Sequence, residues 1–138
     1  MNQTAVFWPM LAHVLLVYIV YGVLMSRRGA AVRSREVRIS QFKDHSAEPA
    51  GSVSVANNLV NQFELPGLFL IACLAFYVTN GVNYWVLVLA WIFVASRYVH
   101  AAIHITVNVV RYRTAAFGVG VVTLALMWIT FALHIAGS

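Results

Sequence analysis

Charge is what this chain has least of. Four acidic and nine basic residues occur among 138, and charged types make up 9% of the sequence, against roughly 25% in soluble domains. With 62% hydrophobic residues and a mean hydropathy of +0.81, the chain reads as an integral membrane protein with no room for a soluble catalytic domain. A single cysteine excludes an intrachain disulfide. Cys73, set among Ile71, Ala72 and Leu74 with no basic neighbour to lower its pKa, reads as a small packing residue. No internal repeat or low-complexity tract is present. No aromatics interleave with the basic residues, so the net charge of +5 reads as a topology signal and an attraction to anionic lipid rather than as a nucleic-acid surface. No basic segment precedes the first apolar run, which is therefore not expected to be a cleavable signal peptide.

What is present is apolar length. Each span of a hydrocarbon core of ~30 Å takes about 20 residues, and four such stretches are expected at about 5–25, 59–79, 84–110 and 115–135. The expected fold is an all-α integral membrane protein, a four-transmembrane-helix bundle built as one domain over residues 1–138. The short polar run Asn80, Gly81, Val82, Asn83 joins the second and third spans as antiparallel neighbours. Arg27, Arg28, Arg33, Arg35, Arg38 and Lys43 fall in a basic loop at 26–58, and Arg111 and Arg113 follow the third span. Lys and Arg favour the cytoplasmic side, so both basic loops are expected there. Both termini are then expected on the outer side, with Trp8, Tyr84 and Trp85 as interfacial anchors. In a bacterium the membrane would be the inner, cytoplasmic one.

The polar residues within these spans are not scattered. At 100° per helical residue, Arg97, His100, His104, Asn108 and Arg111 fall within about 80° of one another on the third span. On the second, Asn57, Asn61 and Glu64 cover about 60°, a second stripe able to face the first. Glu64 and His100 both lie ~24 Å from the outer surface by the helical rise, at matched depth. A Glu64–Arg97 ion pair supported by Asn61 and His100 is the economical expectation, because a lone charge at membrane depth is expensive. A pair that only glues helices together would account for Glu64 and Arg97, but five polar side chains exceed what gluing needs. Pro66 cannot donate to the carbonyl of Gln62, so the second helix is expected to bend beside Glu64.

The remaining histidines read as bystanders. His13 and His134 are expected to be interhelical or interfacial residues distant from the inner cluster, and His45 a solvated loop residue. His100 and His104 lack carboxylates at matching spacing, so no metal site is expected.

The run Asn61-Gln62-Phe63-Glu64-Leu65-Pro66-Gly67-Leu68-Phe69, followed by Arg97-x-x-His100, Asn108 and Arg113-x-x-x-Phe117, resembles the MAPEG family, the membrane-associated proteins in eicosanoid and glutathione metabolism. In detail it is most similar to the uncharacterised bacterial branch. The resemblance covers nearly the whole chain: four spans, a long basic first loop, a tight outer turn and a short second loop. It implies a homotrimer binding glutathione as co-substrate at each subunit interface, reached from the cytoplasm. By motif, Asn61, Glu64, Arg97 and His100 would contact the tripeptide, with His104 one turn further along and Arg28 as a further basic contact. Arg113 corresponds to the arginine that stabilises the thiolate. Where members with established glutathione chemistry carry a basic residue near the start of the second-helix motif and two tyrosines further on, this chain has Asn57 and Leu59, then His104 and Phe117.

Those residue types suit that chemistry. A thiol with a pKa of about 8.5 is mostly protonated at neutral pH, and a nearby guanidinium favours the attacking thiolate. Arginine forks suit ligand carboxylates, and Glu64 suits an ammonium group. The expected function is a glutathione-dependent transferase, or peroxidase, acting on lipophilic electrophiles that arrive from the bilayer. Two alternatives stay open: a noncatalytic lipid-binding or scaffold protein, and a haem or proton-conducting membrane protein resting on His13, His100 and Glu64.

Overall fold

The computed structural model of the chain describes residues 1–39, 42 and 48–137. They form a 3-10 turn, Gln3–Val6, and five α-helices: α1 Phe7–Arg33, α2 Ala50–Asn61, α3 Leu65–Val78, α4 Tyr84–Ile105 and α5 Val110–Ala136. Four segments are long and apolar enough to cross a membrane, Gln3–Arg33, Ala50–Val78, Tyr84–Ile105 and Val110–Ala136, with α2 and α3 sharing the second. Among the described residues the architecture is all-helical. Lys43 and His45, assigned above to the basic loop, lie outside the described residues.

Helix ends depart from the apolar runs in both directions. α1 continues through Arg27 and Arg28 to Arg33, and α2 already begins at Ala50, so the expected loop over 26–58 is helical at both ends. Apolar length reports the thickness of the oil, whereas backbone hydrogen bonding continues into water where Ala and Arg are good helix formers. α4 does the reverse and stops at Ile105 rather than 110. Asn108, at φ 48°, donates its N–H to the carbonyl of Ile103 at 2.7 Å, a left-handed closure that Asn tolerates better than most residues. α5 starts at Val110, which puts Arg111 and Arg113 on its first turn instead of in a loop.

The bend expected at Pro66 is a full interruption. Gln62 and Phe63 close tight turns onto the carbonyls of Leu59 and Val60 at 3.0 Å each, and the helix restarts at Leu65 with Pro66 in its first turn. Proline is suited to that position, where its missing N–H would be unpaired anyway.

Two apolar clusters hold the bundle. One joins Val6, Phe69, Phe76, Val86, Phe93 and Met127 from the 3-10 turn, α3, α4 and α5, with Phe69 and Phe93 stacked at 4.4 Å between ring centroids. The other joins Leu16, Val20, Leu24, Val55 and Ala101 from α1, α2 and α4. Cys73 is fully buried in the first cluster, in the packing position read from its neighbours. α5 approaches α4 closely at Gly120, where a Cβ would lie 2.9 Å from Ser96 Oγ. The outward faces are apolar, with Leu15, Tyr18, Val122, Ile129 and Leu133 exposed, as a lipid-facing surface requires.

Side chains lace both ends. Gln3 donates from Nε2 to the carbonyl of Val82 at 3.2 Å and accepts from its N–H at 2.9 Å. His134 Nε2–H donates to the carbonyl of Thr79 at 3.2 Å, so the start of α1, the α3–α4 turn and the close of α5 share one end. At the opposite end Arg27 donates to the carbonyl of Ile105 at 3.0 Å and to that of Gly51 at 3.2 Å. A cation at the closing carbonyls of α4 is the favourable sign for a helix C-terminus.

Candidate functional site

α4 carries the polar cluster. Its buried face runs Phe93, Arg97, His100, Ala101, His104, so three of the five striped residues do point inward together. Asn108 and Arg111 do not extend the stripe, because α4 has ended before them; both are exposed. Asn108 nevertheless reaches the site by another route, its Oδ1 accepting from Arg113 Nη1 at 2.8 Å.

Arg97 is fully buried. It donates from Nη2 to the backbone carbonyl of Asn61 at 3.0 Å, and its guanidinium carbon lies 5.5 Å from the centre of the Phe117 ring, within cation–π range. Nε and Nη1 have no hydrogen-bond partner. The expected Glu64–Arg97 ion pair is not formed: Glu64 is exposed at the start of α3 and acts on Arg97 only through space. The break over Gln62–Glu64 is the reason, since a helical projection from Asn57 to Glu64 assumes a continuity the backbone lacks. Asn61 supports Arg97 through its carbonyl rather than its side chain.

The same break explains which face of α2 meets α4. Asn57 is exposed, while Asn58 is fully buried and Gln62 nearly so. Asn58 Nδ2 bonds His104 Nδ1 at 3.2 Å, and Gln62 Nε2 donates to Asn58 Oδ1 at 3.1 Å. These two amides were not singled out from the sequence. Their four-residue spacing, a single-turn ladder on one helix face, was the available signal.

His100 is buried and donates from Nδ1–H to the carbonyl of Arg113 at 3.1 Å, because a carbonyl can only accept. In the neutral ring Nε2 is then a lone pair, and it has no partner. The ring also lies 5.7 Å from those of His104 and Phe117. Asn61, His100, Arg113, Thr114 and Phe117 line an open cleft of about 180 Å³. The positive end of α5 and the Arg113 side chain both present charge suited to an anion there.

Arg28 is not in this cleft. It donates from Nε to Glu48 Oε1 at 3.0 Å, lies 5.3 Å from the centre of the Phe42 ring, and lines a separate cleft of about 650 Å³ with Leu24, Asn57 and Val60. His13 proves less remote than its depth suggested. It is 1% exposed, shares a cleft with Gln62 and Phe63, and is close enough to Arg97 to feel its charge. The interruption of the second span brings backbone and side chains toward it that a straight helix would carry past.

A bundle of four membrane-crossing helical segments with a polar arginine–histidine cluster beside an open cleft defines a multi-pass membrane protein. A family model described as the MAPEG family matches residues 5–133 of the 138, and this chain belongs to that family. Neither a curated protein nor a solved structure matches it.

Proposed function

We propose that the protein is a glutathione-dependent transferase that joins the tripeptide thiol to lipophilic electrophiles drawn from the bilayer. The observation that carries this reading is an open cleft lined by His100 and Arg113, with Arg97 buried behind its Phe117 and Asn61, together with family membership over residues 5–133. Arg113 is the group assigned to the thiolate. Its guanidinium and the α5 N-terminus favour the anion over the thiol, and the thiolate then attacks the electrophilic carbon, forming the S–C bond as the leaving group departs with its electron pair.

Asn61, Glu64, Arg97, His100 and His104 hold the remainder of the ligand in this reading. A cleft of about 180 Å³ lies below the range of about 300–1,000 Å³ usual for small-molecule sites, so a neighbouring copy supplies the missing wall. The proposed assembly is a homotrimer in lipid, and Arg28, turned toward a different cleft in its own chain, contributes across the subunit boundary. The proposed location is the cytoplasmic membrane of a bacterium, with both termini outside.

A second reading rests on Phe117. Its ring sits against His100 and Arg97 and offers no hydroxyl to a thiolate, which suits a noncatalytic lipid-binding or scaffold relative. Glutathione added to the detergent-solubilised protein separates the two. A thiolate absorbance that appears on addition and is lost in Arg113→Ala supports the transferase; no binding at millimolar ligand leaves the scaffold reading.

A further inference from the structure

A third cleft, of about 360 Å³, opens between α1 and the α2–α3 break and shares no lining residue with the cleft of His100 and Arg113. Val14, Val17, Tyr18, Phe63 and Leu70 form its apolar walls. Tyr18 and Phe63 are 71% and 60% exposed, so its mouth opens sideways, where lipid chains lie.

Two polar side chains line it from within. His13 and Gln62 are 1% and 2% exposed, and each retains one atom without a hydrogen-bond partner, Nδ1 and Oε1 respectively. The Gln62 amide is oriented by its neighbour, since its Nε2 is already donated to Asn58 Oδ1; what remains is an acceptor. Buried polar atoms are nearly always met by a partner. Two unmet ones in a single apolar cleft mark the place of a polar group on an otherwise apolar ligand.

We propose that this cleft binds an aliphatic lipid chain bearing a hydroxyl group, the chain lying along Val14, Val17 and Leu70 and the hydroxyl meeting Gln62 Oε1 and His13 Nδ1. A hydroxyl donates one hydrogen bond and accepts another, so it donates to Gln62 Oε1 and accepts from His13 Nδ1–H, the tautomer this pairing requires. A carboxylate would oppose the Gln62 oxygen, and an ammonium would shed its hydration in a cleft whose lining includes no carboxylate. His13 lies about 15 Å along the helix axis from Gln3, inside the hydrocarbon core, which places the hydroxyl partway along an acyl chain rather than in a headgroup.

The test uses the full chain in mild detergent and two radiolabelled probes of equal length, 12-hydroxystearate and stearate. The hydroxylated acid is expected to bind about five- to tenfold more tightly, the scale of one net hydrogen bond. That preference is expected to fall to near unity in Gln62→Leu and in His13→Leu. Gly67 lines the cleft and an added Cβ there meets no other atom within 4 Å, so Gly67→Leu takes up cleft volume and both acids should weaken while the fold is kept. Equal binding of the two acids by the unaltered protein, the result expected if water alone fills the site, overturns the proposal. So does a preference that survives both polar substitutions. Where those variants fail to fold, undiminished binding to Gly67→Leu overturns it alone.

Discussion

Arg97, with no exposed surface, reaches from the middle of α4 to donate to the carbonyl of Asn61, the last residue of α2, at 3.0 Å. A positive group at the closing end of a helix is favourable in its own right. Here it also serves a carbonyl just before the interruption at Pro66, so the arginine ties α4 to the end of α2, behind Phe117 of the candidate cleft.

Removing that link should be felt in the fold first. Arg97→Ala deletes the donor and leaves a cavity against Phe117, and about 2–4 kcal/mol of stability should be lost. Denaturant titration in detergent, followed by near-ultraviolet dichroism, measures it. Arg97→Met keeps volume and should recover part of the loss, whereas glutathione binding should be lost in both.

Asn108 sits behind Arg113 and should govern it without touching ligand. Its left-handed backbone at φ 48° makes Asn108→Gly the appropriate change, because glycine holds that conformation without strain. The Arg113 guanidinium then loses the Oδ1 acceptor at 2.8 Å. Glutathione affinity should drop about fivefold, one hydrogen bond's worth, with the melting temperature nearly unmoved. An unchanged dissociation constant by calorimetry would remove Asn108 from the site.

The ion pair between Arg28 and Glu48 competes with any anion that Arg28 is asked to hold. Glu48→Gln releases the guanidinium, and since exposed or half-exposed pairs are worth about 0.2–1 kcal/mol, affinity for glutathione should rise by about threefold at low salt. The gain should shrink as ionic strength increases. A fall in affinity would mean that Glu48 positions Arg28 for the ligand instead of restraining it.

Gly120 sets how near α5 comes to α4. A side chain there meets Ser96 Oγ at 2.9 Å, with Phe93 and Arg97 carbons at 3.8 Å, and Ser96 is itself tied to the carbonyl of Phe93 at 2.6 Å. Gly120→Val should therefore cost about 1–3 kcal/mol through overpacking. Because Arg113 rides on α5, thiolate formation should fall along with the melting temperature. Normal thiolate absorbance in a destabilised variant would uncouple the two.

The sequence made the spans, the α3–α4 turn, a bend at Pro66 and the inward face of Arg97, His100 and His104 legible, because each follows from apolar length, turn or proline chemistry, or helical period. What it hid follows from one assumption, that a span is one helix. Glu64 was placed on a face that ceases to exist after Asn61, and Asn57 was preferred to Asn58 because only a continuous second helix lines it up with Glu64. Asn108 and Arg111 were set on α4 for the same reason, although Asn108 closes that helix and Arg111 opens the next. His13 was judged by depth along a straight axis, which carries no information about what an interrupted neighbour brings beside it.

The two-way clasp between Gln3 and Val82 imposes an order on biogenesis. The ribosome makes the first partner 79 residues before the second, so the leading segment lies in the bilayer with its polar amide unlatched until the later hairpin has been threaded. Fastening of the earlier-made partner is thus a late event of assembly, and a nascent chain arrested before Val82 emerges would hold Gln3 untethered.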